Sequence, residues 1–89
     1  MSHTYNTRYG KVTLLKNDMY INGSFANGHY WDEDCLLKLK QFIDPNKNIL
    51  EFGGHCGTST LVYASFLNTD NRVFVLEPQK NLYSLLKLN

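Results

Sequence analysis

At 89 residues the chain has room for one domain. Nine Lys and Arg against eight Asp and Glu leave a formal charge of +1, and a hydrophobic content of 43% is ordinary for a globular protein. That balance argues against a nucleic-acid binder or a protein drawn to anionic membranes, and no apolar run approaches the ~20 residues of a bilayer span.

Residues 1–9 are polar and read as a flexible N-terminus, with one Arg and no apolar core of the kind a secretory signal needs. A soluble chain in the cytoplasm is the expectation. The runs Lys11–Lys16 and Met19–Asn22 are short and β-prone, and Asn17-Asp18 between them predicts a hairpin. Gly23 to Gly28 reads as loop. Asp32-Glu33-Asp34 opens a helix, since acids suit the positive end of the helix dipole. Cys35, Leu36, Leu39, Phe42 and Ile43 follow as one apolar stripe, and Asp44-Pro45 stops it.

Ile49-Leu50-Glu51-Phe52 is a short strand of the buried type, followed at once by Gly53-Gly54-His55-Cys56-Gly57. Thr58 to Leu67 predicts a helix, and Arg72 to Glu77 a second buried strand. Pro78 sits where a helix start tolerates it, and Leu82, Leu85 and Leu86 carry a last helix to the end. Strand, Gly-rich turn, helix, strand, helix is a βαβα unit, so the class is α/β with a parallel sheet, the minimum of a Rossmann-like fold. Residues 49–89 form that unit and residues 10–48 an N-terminal hairpin-and-helix extension. Cys35 and Cys56 have neither a CxxC partner nor histidine at a metal spacing. They read as small buried thiols, with no metal site.

The turn carries the chemistry. Gly53, Gly54 and Gly57 let a ligand approach the backbone and meet free N–H groups, although a tight strand-to-helix turn also needs glycine on steric grounds alone. Two carboxylates add weight. Glu51 lies two residues before Gly53, and Glu77 ends the second strand twenty residues after Gly57. An acid at that second place suits a ribose diol, because a carboxylate accepts from both hydroxyls. A dinucleotide fingerprint ending at Gly57 would require glycine at 52, where Phe52 stands. Glu51 would also repel a pyrophosphate, whereas it suits the ammonium and sulfonium of S-adenosylmethionine.

The stretch from Ile49 to Asn89 resembles the FkbM-type methyltransferases. Their pattern is an acid, G-A-N-x-G, a nearby Thr, a strand ending in Glu-Pro, and a helix of Leu-Leu-x-x-Asn type. Glu51, Gly53, Gly57, Thr60, Glu77-Pro78 and Asn89 match it. The lead-in from Tyr9 to Leu39 is similar as well. Gly54 replaces the usual Ala, a change expected to be harmless, and His55 replaces the usual Asn.

The resemblance implies S-adenosylmethionine as cofactor, held by Glu51, Gly53, Gly54, His55, Gly57 and Glu77. It also implies methyl transfer to a hydroxyl of a sugar or other metabolite, by direct displacement. It leaves the catalytic residue and the acceptor unassigned, because the family's substrate-holding half lies beyond the part resembled. A binding module that keeps the turn but performs no chemistry is the rival reading. His55 is either a base or a turn residue whose backbone counts. Cys56 is either an activated thiol or a packed one. His29-Tyr30-Trp31 either lids the cofactor or packs. In the family a further strand flanks the first one, so its absence would leave an apolar edge on Ile49–Phe52. A partner chain, a second copy or the N-terminal hairpin would have to cover that edge.

Overall fold

The computed structural model describes residues 2–89 and opens on an antiparallel hairpin, β1 (Ser2–Thr7) against β2 (Gly10–Leu15). The register runs from Ser2↔Leu15 to Thr7↔Gly10. This corrects two expectations. Residues 2–7 are not loose: Tyr5, Thr7 and Tyr9 alternate as half-buried positions, a period of two hidden beneath a polar composition. The expected hairpin across Asn17-Asp18 does not form, because Asp18 caps a helix instead. Its carboxylate accepts from the Ile21 N–H at 3.4 Å at the start of α1 (Met19–Ala26). The Asn22 amide donates to the Leu15 and Asp18 carbonyls, both at 2.7 Å, and fastens that helix to the end of β2. Ile21 and Phe25, one helical turn apart, point into the core.

The second helix, α2 (Glu33–Leu39), continues as a 3₁₀ turn over Lys40–Phe42 and stops before Asp44-Pro45, as the proline dictates. Of its apolar stripe only Leu36 is buried; Leu39, Phe42 and Cys35 are exposed. Cys35 is therefore no core thiol.

β3 (Ile49–Phe52) and β4 (Val73–Leu76) pair in parallel, Ile49↔Val73 to Phe52↔Leu76, with α3 (Thr58–Phe66) between them in sequence and α4 (Lys80–Leu88) after them. The Asn48 side chain accepts from the Arg72 N–H at 2.9 Å and fixes the register at the strand entry. The two sheets are separate, so the hairpin does not pair with the open edge of β3. Nor are β3 and β4 buried on both faces. Ile49, Glu51, Val73 and Val75 are half-buried, while Leu50, Phe52, Phe74 and Leu76 are exposed.

The core lies elsewhere. Val12 and Leu14 of β2, Ile21 and Phe25 of α1, Tyr30, Leu36 of α2, Cys56, Val62 of α3 and Leu85 of α4 form one buried cluster. The N-terminal region thus supplies six of these nine residues and is not an appendage. Asn89 closes the arrangement. Its Oδ1 accepts from the Thr13 N–H at 2.7 Å, and its Nδ2 donates to the Thr13 carbonyl at 2.9 Å and the Cys56 carbonyl at 2.8 Å. One amide therefore ties β2, the Gly-rich turn and α4 together. Among the described residues no helix is long and apolar enough to cross a membrane.

Removing the amide should cost about 2–3 kcal/mol, since each net hydrogen bond contributes ~0.5–1.5 kcal/mol and the Thr13 backbone is left unpaired. Asn89→Ala should therefore lower the melting temperature by roughly 10–20 °C. Asn81→Ala, on the exposed side of α4, should stay within about 0.5 kcal/mol of the parent. Calorimetric melting of both variants checks this, and equal melting temperatures would remove Asn89 from its role.

Candidate functional site

The turn from β3 into α3 is held by backbone bonds from below. The Gly53 N–H donates to the Leu76 carbonyl at 2.7 Å and the Gly57 N–H to the Gly54 carbonyl at 3.0 Å. Gly57 has φ +99°, which calls for glycine, and a Cβ there would also push the Leu86 Cδ1 methyl, 2.9 Å away, aside. Gly54 is needed for contact alone. A Cβ on it would stand 2.2 Å from Val75 Cγ1, on the half-buried face of β4. The exchange of Ala for Gly at this place, expected to be harmless, is thus matched to a valine that fills the space.

The two acids sit at the carboxyl ends of the strands, and each is engaged by the chain itself. Glu51 accepts from Ser59 Oγ at 2.6 Å and from Thr60 Oγ1 at 2.5 Å, one hydroxyl on each oxygen. Its charge thereby rests against the first turn of α3, where the helix dipole favours it. Glu77 accepts from the His55 N–H on one oxygen and the Gln79 N–H on the other, each at 2.8 Å. Each carboxylate oxygen keeps a second acceptor site. Glu77 therefore holds the turn in place with acceptor capacity to spare.

His55 takes φ +54°, which is uncommon without glycine, and it does so with its N–H on Glu77. Among the described residues the other non-glycine residue at positive φ is Asp32, at +58°. The two meet. Ile21, Trp31, Asp32, Leu36, His55, Thr58 and Ser59 line one cavity, at the N-terminus of α3. No side chain caps that terminus, and Asp32, with its left-handed backbone, does not cap α2. The Thr58 N–H serves the Cys56 thiol, which leaves the following first-turn N–H groups, that of Ser59 on the cavity wall among them, with Asp32 in the same lining: amides suit a carboxylate and Asp32 an ammonium. A second, more open hollow is lined by Phe52, Gly53, Leu76, Glu77 and Pro78.

Two chemically capable side chains near the turn are structural. The Tyr30 hydroxyl donates to the Thr58 carbonyl at 2.6 Å, inside a ring cluster with Tyr9 and Phe25. Burial, chiefly, holds its phenol well above the ordinary tyrosine range. Burial also pushes the Cys56 thiol up, against the hydrogen bonds that Thr58 gives it. This thiol is packed and not activated. Tyr30 serves as a strut that fixes Trp31 and Asp32 over α3.

The structure thus brings Gly53, Gly54, His55, Gly57, Glu51 and Glu77 to one end of the parallel sheet. Asp32, Thr58 and Ser59 were not in the set read from the sequence, and Trp31 stood there only in a cluster that either lids the cofactor or packs. Asp32 looked like a helix-start acid, and only its left-handed backbone reveals otherwise. No family model, curated protein or solved structure matches the chain.

The fit between Gly54 and Val75 is open to a double-mutant test. Gly54→Ala should destabilise the chain by about 1–3 kcal/mol, as overpacking does. Combining it with Val75→Ala should cost less than the two single changes added together. Urea unfolding of the three variants measures the coupling; strictly additive costs would show that the approach is not tight.

Proposed function

We propose that the chain binds S-adenosylmethionine through a Rossmann-like unit of the FkbM-type methyltransferase kind. Its role is then in cytoplasmic methyl transfer to a hydroxyl of a sugar or other metabolite. One observation carries the reading: both left-handed non-glycine residues, Asp32 and His55, line a single cavity at the uncapped start of α3. Backbone strain of this kind costs roughly 1–3 kcal/mol per residue and gathers where a ligand is held.

The residues suit the cofactor part by part. The first-turn amides of α3 from Ser59 onward take its carboxylate, Asp32 faces its ammonium, and Trp31 walls the cavity. Glu77 takes the ribose hydroxyls on the acceptor sites left free by His55 and Gln79. Glu51 acts one step back: bonded to Ser59 and Thr60, it positions the helix whose amides do the binding. When bound, the cofactor supplies an electrophilic methyl on sulfur, and the chain's part is to orient it and keep it from water. The negative charges of Asp32 and Glu51 near the turn suit a cation better than a pyrophosphate, and Phe52 stands where a dinucleotide fingerprint needs glycine, which sets NAD aside.

A binding-only role has one observation in its favour. Of the titratable side chains on the cavity wall, Asp32 is taken up by the ammonium and only the His55 imidazole remains, on a residue whose backbone N–H is bonded to Glu77.

Calorimetric titration with S-adenosylhomocysteine and, separately, NAD tests the reading. Binding of the first and not the second is expected. Glu77→Ala should weaken it by about 1.5–3 kcal/mol, the range for hydrogen bonds to a charged group. Unchanged affinity in a folded Glu77→Ala variant, or preference for NAD, would contradict the assignment. A radiolabelled methyl-transfer assay with hydroxyl acceptors then separates catalysis from binding alone.

A further inference from the structure

We infer that the open face of the parallel sheet is covered by the same face of a second copy of this chain. The inference stands on the sheet alone and is independent of the cofactor reading. Parallel strands are ordinarily buried on both faces. Here one face carries Leu50, Phe52, Phe74 and Leu76, which are 59%, 74%, 54% and 53% exposed. All four face positions of the two strands are large and apolar, and none bears a charge. Phe42, 78% exposed, and Leu39, 42% exposed, extend the apolar surface around the β3 edge, where they share a groove with Leu50 and Phe52.

The pattern on this face is self-complementary. The register sets Leu50 beside Phe74 and Phe52 beside Leu76, so rings and leucines occupy opposite corners of a square. Lay a second copy over it by a two-fold axis along the strands, and Leu50 faces Phe74 of the copy while Phe52 faces Leu76. Turn the axis across the strands, and Leu50 faces Phe52 while Phe74 faces Leu76. Either way each ring meets a leucine and the layers interdigitate, as in sheets packed face to face about 10 Å apart.

The area is also of the right size. Large side chains expose ~150–250 Å² each when free, so these six offer on the order of 650 Å² per copy, near the ~800 Å² per partner of a stable interface. A formal charge of +1 per chain opposes association little. Gly53 and Glu77 follow the last face residues in each strand, so a pairing centred on the square leaves the turn at its rim.

Size-exclusion chromatography with light scattering on the intact chain tests this. The parent should elute at the mass of two chains at micromolar concentration. Phe52→Glu and Phe74→Glu should each give the single-chain mass with an unchanged circular dichroism spectrum. The uncharged Phe74→Leu should raise the dimer dissociation constant about tenfold or more. Tyr20→Glu, equally exposed but on α1, should leave the dimer intact. A parent that stays single, or grows into open-ended assemblies, overturns the inference whatever the variants do. So does a dimer that survives Phe74→Glu, because pairing through the β3 edge would not involve β4.

Discussion

A single side-chain amide at Asn89 sets the geometry on which everything else depends. It pairs with Thr13 as a neighbouring strand would, taking its N–H and giving to its carbonyl, and it holds the Cys56 carbonyl with its remaining hydrogen. Among the described residues the hairpin and the Gly-rich turn otherwise meet through packed side chains, which are tolerant of small slides. Hydrogen bonds to a backbone are not. The clamp fixes the height of the turn against β2, and the Tyr30 hydroxyl on the Thr58 carbonyl fixes its lateral place against α1 and α2. Between those two ties the start of α3 has nowhere to move.

That rigidity explains how two strained residues persist. Left-handed backbone at Asp32 and His55 is unfavourable in isolation, and it survives where the surroundings over-determine it. Tyr30 anchors one residue's neighbourhood and Glu77 the other. The two acids consequently divide the work. Glu51 steadies α3 through Ser59 and Thr60, and Glu77 steadies the turn through backbone amides. Only the second keeps its carboxylate beside the open hollow of Phe52, Gly53 and Pro78. The chemistry of the site then follows from placement: amides at a helix start, an acid opposite, and an aromatic wall.

Much of the C-terminal half was legible from residues alone. Ile49–Phe52, the glycine turn, the helix from Thr58, the strand to Leu76 and the last helix appear in the expected order, because glycine, proline and short apolar runs punctuate them. Asp44-Pro45 ends α2 for the same reason. The N-terminal half was less legible. Asn17-Asp18 suits a turn and a helix cap equally well, and the choice belongs to Asn22, which bonds back to Leu15 and Asp18. The strand from Ser2 is polar at every exposed position and shows itself only through its pairing with β2. Reading the sheet strands as doubly buried also failed, since apolar alternation cannot say whether a partner face is present. Of the site, the glycines and both acids were visible in sequence. Trp31 showed only as part of a cluster that either lids or packs, and Asp32 only as a helix-start acid, because a cavity formed across some twenty-five residues of chain leaves no local signal. The closeness of Gly54 to Val75 is hidden for the same reason.

The central claim is that the uncapped start of α3, with Asp32 and Trp31 over it and Glu77 beside it, receives S-adenosylmethionine. Amide NMR of the nitrogen-labelled chain, titrated with S-adenosylhomocysteine, reads this directly. The account predicts saturable shifts at Trp31, Asp32, His55 to Ser59 and Glu77, with the amides of β1 unmoved. Shifts confined to the hairpin, or none at all at saturating ligand, would contradict it.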